Sequence, residues 1–399
     1  MRILFVTWDG PQVDYVESLF LPIFRRLQDQ GVGFDILQFR WGDVEQGRRL
    51  RAACEAAGIG YRAAPVWRRL GGAGALLTAL AGRRHVKAAV RQFGSDAIMP
   101  RSLMPALAVL AAGGRRLRPI IFDADGLAAD ERVDFAGDSP AGMTYRALRA
   151  IETRVIRQAA AVLVRTPTAA AILSDRTGVP ADRFHRVANG RDEALFHPGS
   201  EHDRASIRDQ LGVAGDTPLI VYAGSIGPKY RIDLVRAFAQ AVARRRPDAR
   251  LVVLTGSPDL AHAALGDDPP LSPIVRRIAA RDMARHLAAA DLGLAFITAT
   301  FSMQAAAPIK LAEYLMCGLP VLGTSAVGAT ATAVQAGLYL DEGVGMDAAA
   351  AWWIDTVLPD RHRYRREAHA IGEAEFSLTR AVRDYHHAID AAGIVTQSG

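Results

Sequence analysis

The chain has 399 residues, half of them apolar, and a net charge of +6. That length accommodates two α/β domains with sizeable cores. Its two cysteines, Cys54 and Cys317, are far apart and lack metal-ligand spacing, which argues against a disulfide scaffold or a zinc module; no apolar run is long enough to span a bilayer.

The start, Met1 to Thr7, is a short apolar run that reads as a first strand rather than a signal peptide. Behind it, strand-like and helix-like segments alternate, which predicts a parallel sheet with helices on both faces. Strands are predicted at Ile3–Thr7, Phe34–Phe39, Ile59–Ala63, Ala97–Met99, Ile120–Asp123 and Ala161–Arg165. Helices are predicted at Tyr15–Gln30, Val44–Ala57, Ala75–Phe93, Ser102–Ala112, Pro140–Gln158 and Thr168–Arg176. The first turn, Thr7 to Pro11, holds one glycine, Gly10. It lacks the Gly-x-Gly-x-x-Gly of dinucleotide binders, which disfavours an NAD(P) enzyme.

From Ala56 to Phe122 the only acid is Asp96, against eleven Arg and Lys. A one-signed block predicts an anionic partner, and without an RNA- or DNA-binding fingerprint nucleic acid ranks low. On the predicted Ala75–Phe93 helix, Arg83, Arg84, Lys87 and Arg91 project on the same side as Leu76, Leu77 and Leu80. Val86, Val90 and Phe93 occupy another side, suited to packing inward. Cations and leucines on one outward face read as a membrane-surface helix; the competing reading is a solvated basic helix whose leucines meet a neighbour. Further on, the predicted strand ending at Asp123 opens into a loop carrying Asp123, Asp125 and Glu131. Carboxylates past the carboxyl end of a parallel strand lie where such sheets bind ligands.

The turn-rich stretch Asn189-Gly190-Arg191-Asp192, with Phe196 to Pro198, closes the first domain. A second α/β run follows: strands Leu219–Ala223, Arg250–Thr255, Ile274–Ile278 and Leu292–Ile297, and helices Ile232–Arg245 and Asp282–Ala290. After the first of these strands, Gly224 to Arg231 forms a turn whose glycines let backbone N–H groups approach an anion. Lys229 or Arg231 is the candidate cation for that anion. Ser302 and Gln304 are candidates for phosphate or sugar contacts, or for helix-end caps.

The stretch Ala305 to Val321 predicts a helix opening at Pro308, placed at the first helical position, and ended by Gly318 and Pro320. Its first N–H groups, on Ile309 and Lys310, offer a phosphate site. Lys310 and Glu313 lie three apart on one face, one a cation for diphosphate, the other an acceptor for ribose hydroxyls. The alternative is a solvated Lys–Glu pair. The strand Val321–Gly323 and helices Asp347–Val357, Arg361–Glu375 and Leu378–Ala392 finish the chain.

The pattern Pro-x-Lys-x-x-Glu followed by Gly-x-Pro-Val resembles the donor-site helix of the retaining glycosyltransferases of family 4, the glycosyl transferases group 1. The Asn-Gly-x-Asp segment resembles the join between that family's domains. The resemblance implies an α/β GT-B fold, two Rossmann-like domains facing across a cleft. An acceptor-side domain, 1–195, would be completed by a C-terminal helix crossing back at about 378–399; a nucleotide-sugar domain would cover 196–377. It implies transfer of a sugar from a UDP- or GDP-linked donor to a glycan, lipid-linked or small-molecule acceptor. No metal and no cofactor is expected. The implied donor-binding set is Gly10, Gly224, Ser225, Lys229, Arg231, Ala307, Pro308, Ile309, Lys310 and Glu313. The acceptor side is Asp123, Asp125 and Glu131, with Asp123, Asp125, Lys310 and Glu313 in catalysis. Family members commonly carry a second Glu eight residues before the ribose-binding one, where this chain has Ala305. The expected location is cytoplasmic, peripheral to the inner face of a membrane, with a role in polysaccharide biosynthesis. Competing readings are a GT-B sugar-nucleotide epimerase, a metal-dependent GT-A-like enzyme using Asp123-Ala-Asp125, and a non-catalytic sugar-binding protein.

Overall fold

The computed structural model describes residues 1–10, 15–67, 71–330 and 339–394. The chain divides into two compact units, Met1–Ala188 with the chain from Ala381 onward, and Asn189–Arg380. Pro11 and the last five residues of the predicted C-terminal span lie outside the described residues.

In the first unit, β1 (Arg2–Asp9), β2 (Gly33–Arg40), β3 (Gly60–Pro65) and β4 (Ala97–Pro100) form a parallel sheet in the order β3-β2-β1-β4. A second parallel ladder holds β5 (Ile121–Asp123), β6 (Ala161–Val164) and β7 (Phe184–Arg186). Parallel bridges Ile98–Ile120 and Arg101–Asp123 join β4 to β5, so all seven strands run side by side. The strands are nearly continuous apolar runs because helices cover both faces. Beneath β1 and β2, Phe24 and Phe34 stack with ring centroids 4.0 Å apart, and Phe5 meets Phe24 edge-on at 5.2 Å.

The second unit carries one six-stranded parallel sheet in the order β10-β9-β8-β11-β12-β13. Its members are β8 (Leu219–Ala223), β9 (Arg250–Leu254), β10 (Ile274–Arg276), β11 (Leu292–Ala295), β12 (Val321–Gly323) and β13 (Tyr339–Asp341). Strand order reverses between β1 and β4 in the first unit and between β8 and β11 in the second. In doubly wound sheets the crevice at such a reversal, past the carboxyl ends of the strands, is the ligand site.

Several elements depart from the sequence expectation. The predicted Ala75–Phe93 helix is two helices, Gly71–Ala81 and Arg83–Phe93. The break falls at Gly82, where a Cβ would lie 2.8 Å from the Phe39 ring. The predicted Tyr15–Gln30 helix opens as a π turn, Val16–Phe20, before the α-helix Leu21–Gln28; Pro22, without an N–H, cannot continue a regular ladder there. The expected loop after Asp123 soon becomes the helix Ala128–Ala136. Strands β7 and β13 and the helices Glu201–Leu211 and Pro258–Leu265 were not expected. Both strands lie at the edge of their sheet and read Phe-His-Arg and Tyr-Leu-Asp, so neither shows the continuous apolar run of a central parallel strand.

Candidate active site

The helix Ile309–Met316 lies between β11 and β12 of the second unit. Pro308 is its cap, with φ −62° and ψ 126°, and not its first helical residue as the sequence suggested. Its carbonyl accepts from Leu311 N, while Ile309 and Lys310 supply the first two N–H groups of the helix. The helix is held from several sides. Tyr314 Oη accepts from Ala223 N at 2.7 Å, His369 Nδ1 meets Met316 O at 2.8 Å, and Asn189 Nδ2 donates to Ala307 O at 2.8 Å. Gly372 of the helix Arg361–Phe376 lies so close that a Cβ would be 2.6 Å from the Leu315 carbonyl carbon.

Lys310 does not pair with Glu313. Its side chain is buried, and its Nζ has no hydrogen-bond partner. The ammonium sits 4.1 Å from the ring centroid of Tyr222 and 4.4 Å from that of Tyr230. It also fills the space above Gly224, where a Cβ would come within 2.9 Å of Nζ. Burial lowers the Lys310 pKa to about 7, partly opposed by the nearby Glu313 charge. Two aromatic faces favour the cation electrostatically, but they do not replace the hydrogen bonds lost from water. The residues present therefore fit an incoming anion: a buried donor, helix N–H groups and a glycine that permits close approach.

Glu313 instead faces Arg191, whose Nη2 lies 3.1 Å from Oε1. Gly224 is at φ +134°, a conformation that favours glycine. Ser225 is exposed, and its carbonyl accepts from Tyr222 Oη at 2.6 Å. The turn is pinned at its far end, where Thr298 N donates to Lys229 O at 2.9 Å and Tyr230 bridges Ile297. Arg231 forms a bidentate pair with Asp233, at 2.9 Å and 2.6 Å. Ser302 is buried within 3.4 Å of Thr300 Oγ1, and Gln304 is half-buried.

In the first unit, Asp123 ends β5 fully buried, accepting from Arg165 Nη2 at 2.9 Å and Arg101 Nη1 at 3.3 Å. Asp125, two residues on, adopts φ +62° and lies 2.8 Å from Arg101 Nη2, with its side chain 41% exposed. Of the two predicted acceptor-side aspartates, Asp125 is thus the one open to a ligand, while Asp123 holds the arginines that flank it. Glu131 sits in the first turn of the Ala128–Ala136 helix, half-buried. Gly10 is glycine because Trp41 packs over it, where a Cβ would meet the indole at 2.7 Å. Asp9 beside it is buried and accepts from Thr7 Oγ1 and Gln38 Nε2. Burial pushes its pKa up, against the pull of those hydrogen bonds.

Sequence reasoning missed Arg101 and Arg165. The signal that selected Asp123 also marks them, since each directly follows the carboxyl end of a parallel strand. It also missed Tyr222 and Tyr230 around Lys310, Arg191 on Glu313, and Tyr385 near Arg165 and Asp123. These partners come from distant parts of the chain and carry no local pattern. Among the described residues no group of three or more His, Cys, Asp or Glu converges.

The Glycosyl transferase 4-like domain family matches residues 17–190, and the Glycosyl transferases group 1 family matches residues 217–353. A D-inositol 3-phosphate glycosyltransferase of Nocardia farcinica is 33% identical over 143 residues, 35% of this chain and 30% of that protein. The enzyme of the same description from Frankia alni is 29% identical over 260 residues, covering 61% and 62%. The chain thus spans less than two thirds of the length of these relatives. The Anabaena protein HepE, solved in complex with UDP-glucose, superposes with a TM-score of 0.71 at 18% identity, over 98% of this chain and all of that one. Two Rossmann-type parallel sheets, one under each matched domain, agree with that fold, and the chain belongs to the GT-B glycosyltransferases of family 4, group 1.

Proposed function

We propose that this protein transfers a glycosyl group from a nucleoside-diphosphate sugar, UDP-linked, to a hydroxyl of a glycan, lipid-linked or small-molecule acceptor with retention of configuration. The observation that carries this reading is Lys310, a buried ammonium without a hydrogen-bond partner at a helix start beside Gly224. A diphosphate placed there receives a charge-assisted hydrogen bond and the first helix N–H groups. As the sugar–oxygen bond breaks, negative charge builds on the departing diphosphate, and these preorganised donors stabilise it. Glu313 accepts from the ribose hydroxyls, and Asp125 orients the acceptor hydroxyl. Lys229 and Arg231, at the far end of the Gly224 turn, are the further candidate cations for the diphosphate alongside Lys310.

We further infer that the protein docks on the anionic cytoplasmic face of a membrane, in polysaccharide or glycolipid assembly. Leu76, Leu77 and Leu80 are all more than 40% exposed, and Trp67 is 68% exposed. Trp67 N donates to Thr78 Oγ1 at 2.9 Å, which ties the backbone at Trp67 to that leucine-bearing helix. Arg83, Arg84, Lys87 and Arg91 are exposed on the next helix. Exposed apolar groups bordered by cations suit anionic headgroups. No helix among the described residues is long and apolar enough to cross a membrane.

The test is a thermal-shift and UDP-release screen over UDP-, GDP- and dTDP-sugars, with an acceptor panel of glycans, lipid-linked sugars and polyol phosphates. A UDP-sugar is expected to raise the melting temperature of wild type and not of Lys310→Met, and to release UDP when the correct acceptor is present. Conversion of donor alone into an epimer would replace the transferase reading with an epimerase. Equal stabilisation of wild type and Lys310→Met would remove its central residue.

A further inference from the structure

We propose that Arg191 is a positioning residue: its buried guanidinium fixes the Glu313 carboxylate in the orientation that accepts the ribose hydroxyls of the donor. This rests on the ribose role proposed above for Glu313 and names the group that makes that role possible.

Glu313 stands on a helix of only eight residues, and Lys310, the cation one turn away on the same helix, is turned toward Tyr222, Tyr230 and Gly224. A glutamate has several staggered rotamers, so a recognition role requires something to select one. Arg191 supplies it, with Nη2 3.1 Å from Oε1 and a side chain only 5% exposed. The guanidinium lies over the Phe196 ring, 5.5 Å from its centroid, which limits how far it can swing. A carboxylate accepts at about four lone-pair sites, and the guanidinium contact to Oε1 is one of them.

The backbone of Arg191 is equally constrained. Its N–H donates to Phe376 O and its carbonyl accepts from Leu378 N, both at 2.8 Å. Two residues earlier, Asn189 holds the Ala307 carbonyl just ahead of the helix. Residues 189 to 191 therefore grip the helix at its approach and at its ribose-binding side chain. They do so where the chain passes into this unit at Asn189, bonded to the segment that leaves it at Arg380. A surface turn would need neither contact.

The test measures dissociation constants by calorimetry for UDP and 2′,3′-dideoxy-UDP, or the GDP pair if GDP binds more tightly. Wild type, Glu313→Gln, Arg191→Met and Arg191→Lys are compared. Wild type should prefer the ribose form by roughly tenfold or more. Glu313→Gln and Arg191→Met should both reduce that preference to within about threefold, and Arg191→Lys should restore part of it. The ratio separates positioning from general loss of structure, because a loosened fold weakens both nucleotides alike. If Arg191→Met melts too early to assay, the smaller loss in Arg191→Lys is read instead. An unchanged ratio in the Arg191 variants, with the ratio lost in Glu313→Gln, overturns the inference and leaves the ribose role standing. No preference in wild type overturns both.

Discussion

The buried Lys310 ammonium predicts that donor binding takes up a proton. Burial lowers its pKa to about 7, so at pH 8 only about one molecule in ten carries the charge before donor arrives. A diphosphate beside Nζ favours the charged form and raises that pKa again. Affinity for UDP should then fall by about tenfold per pH unit above 7, until pH reaches the pKa of the bound state. Calorimetry in buffers of contrasting ionisation enthalpy should show net proton uptake at pH 8, absent from Lys310→Met. The same shift fixes a sign for stability without donor. Between about 7 and the ordinary value of 10.5 the unfolded chain binds the Lys310 proton and the folded chain does not. Wild type should therefore gain stability relative to Lys310→Met as pH rises through that window, by up to about 1.4 kcal/mol per unit. UDP affinity flat from pH 7 to 9, with no buffer dependence, would refute the placement of diphosphate at Nζ.

Other expectations follow from the same geometry. Asp125→Asn should raise the KM for acceptor more than it changes donor affinity, and activity should survive EDTA because the Asp123 and Asp125 carboxylates already face Arg101 and Arg165; strict Mn²⁺ dependence with loss of donor binding would contradict this. Neutralising Arg83, Arg84, Lys87 and Arg91 together should nearly abolish sedimentation with anionic liposomes at low salt, since each cation contributes roughly 1 kcal/mol at such a surface; equal binding by wild type and the quadruple variant would make the helix a solvated face. Gly372→Val should destabilise the second unit by about 1–3 kcal/mol through overpacking and weaken UDP binding as the Ile309–Met316 helix is displaced; melting temperature and UDP affinity measured together check both, and an unchanged melting temperature would mean that the backbone contact yields easily.

The sequence by itself determined the parts that depend on local order. Alternating apolar strands and amphipathic helices specify parallel α/β units, because helices on both faces demand continuous apolar strands. The strand Leu219–Ala223 was legible to the residue, and the Pro308–Glu313 pattern marked the helix whose start would receive an anion. What the tertiary structure alone decided is which charges meet. Lys310 and Glu313 share a helical face, yet one turns to two tyrosines brought by β8 and its following turn, and the other to Arg191. Asp123 and Asp125 look equivalent in the sequence, but β5 ends at Asp123 and Asp125 follows it at φ +62°, so the backbone turns between them; the arginines that follow the two neighbouring strands bury Asp123 and leave Asp125 partly open. Helical and strand periodicity state which residues lie on one face of one element. They carry no record of the element packed against that face, and burial, which lowers the Lys310 pKa, is a property of that second element.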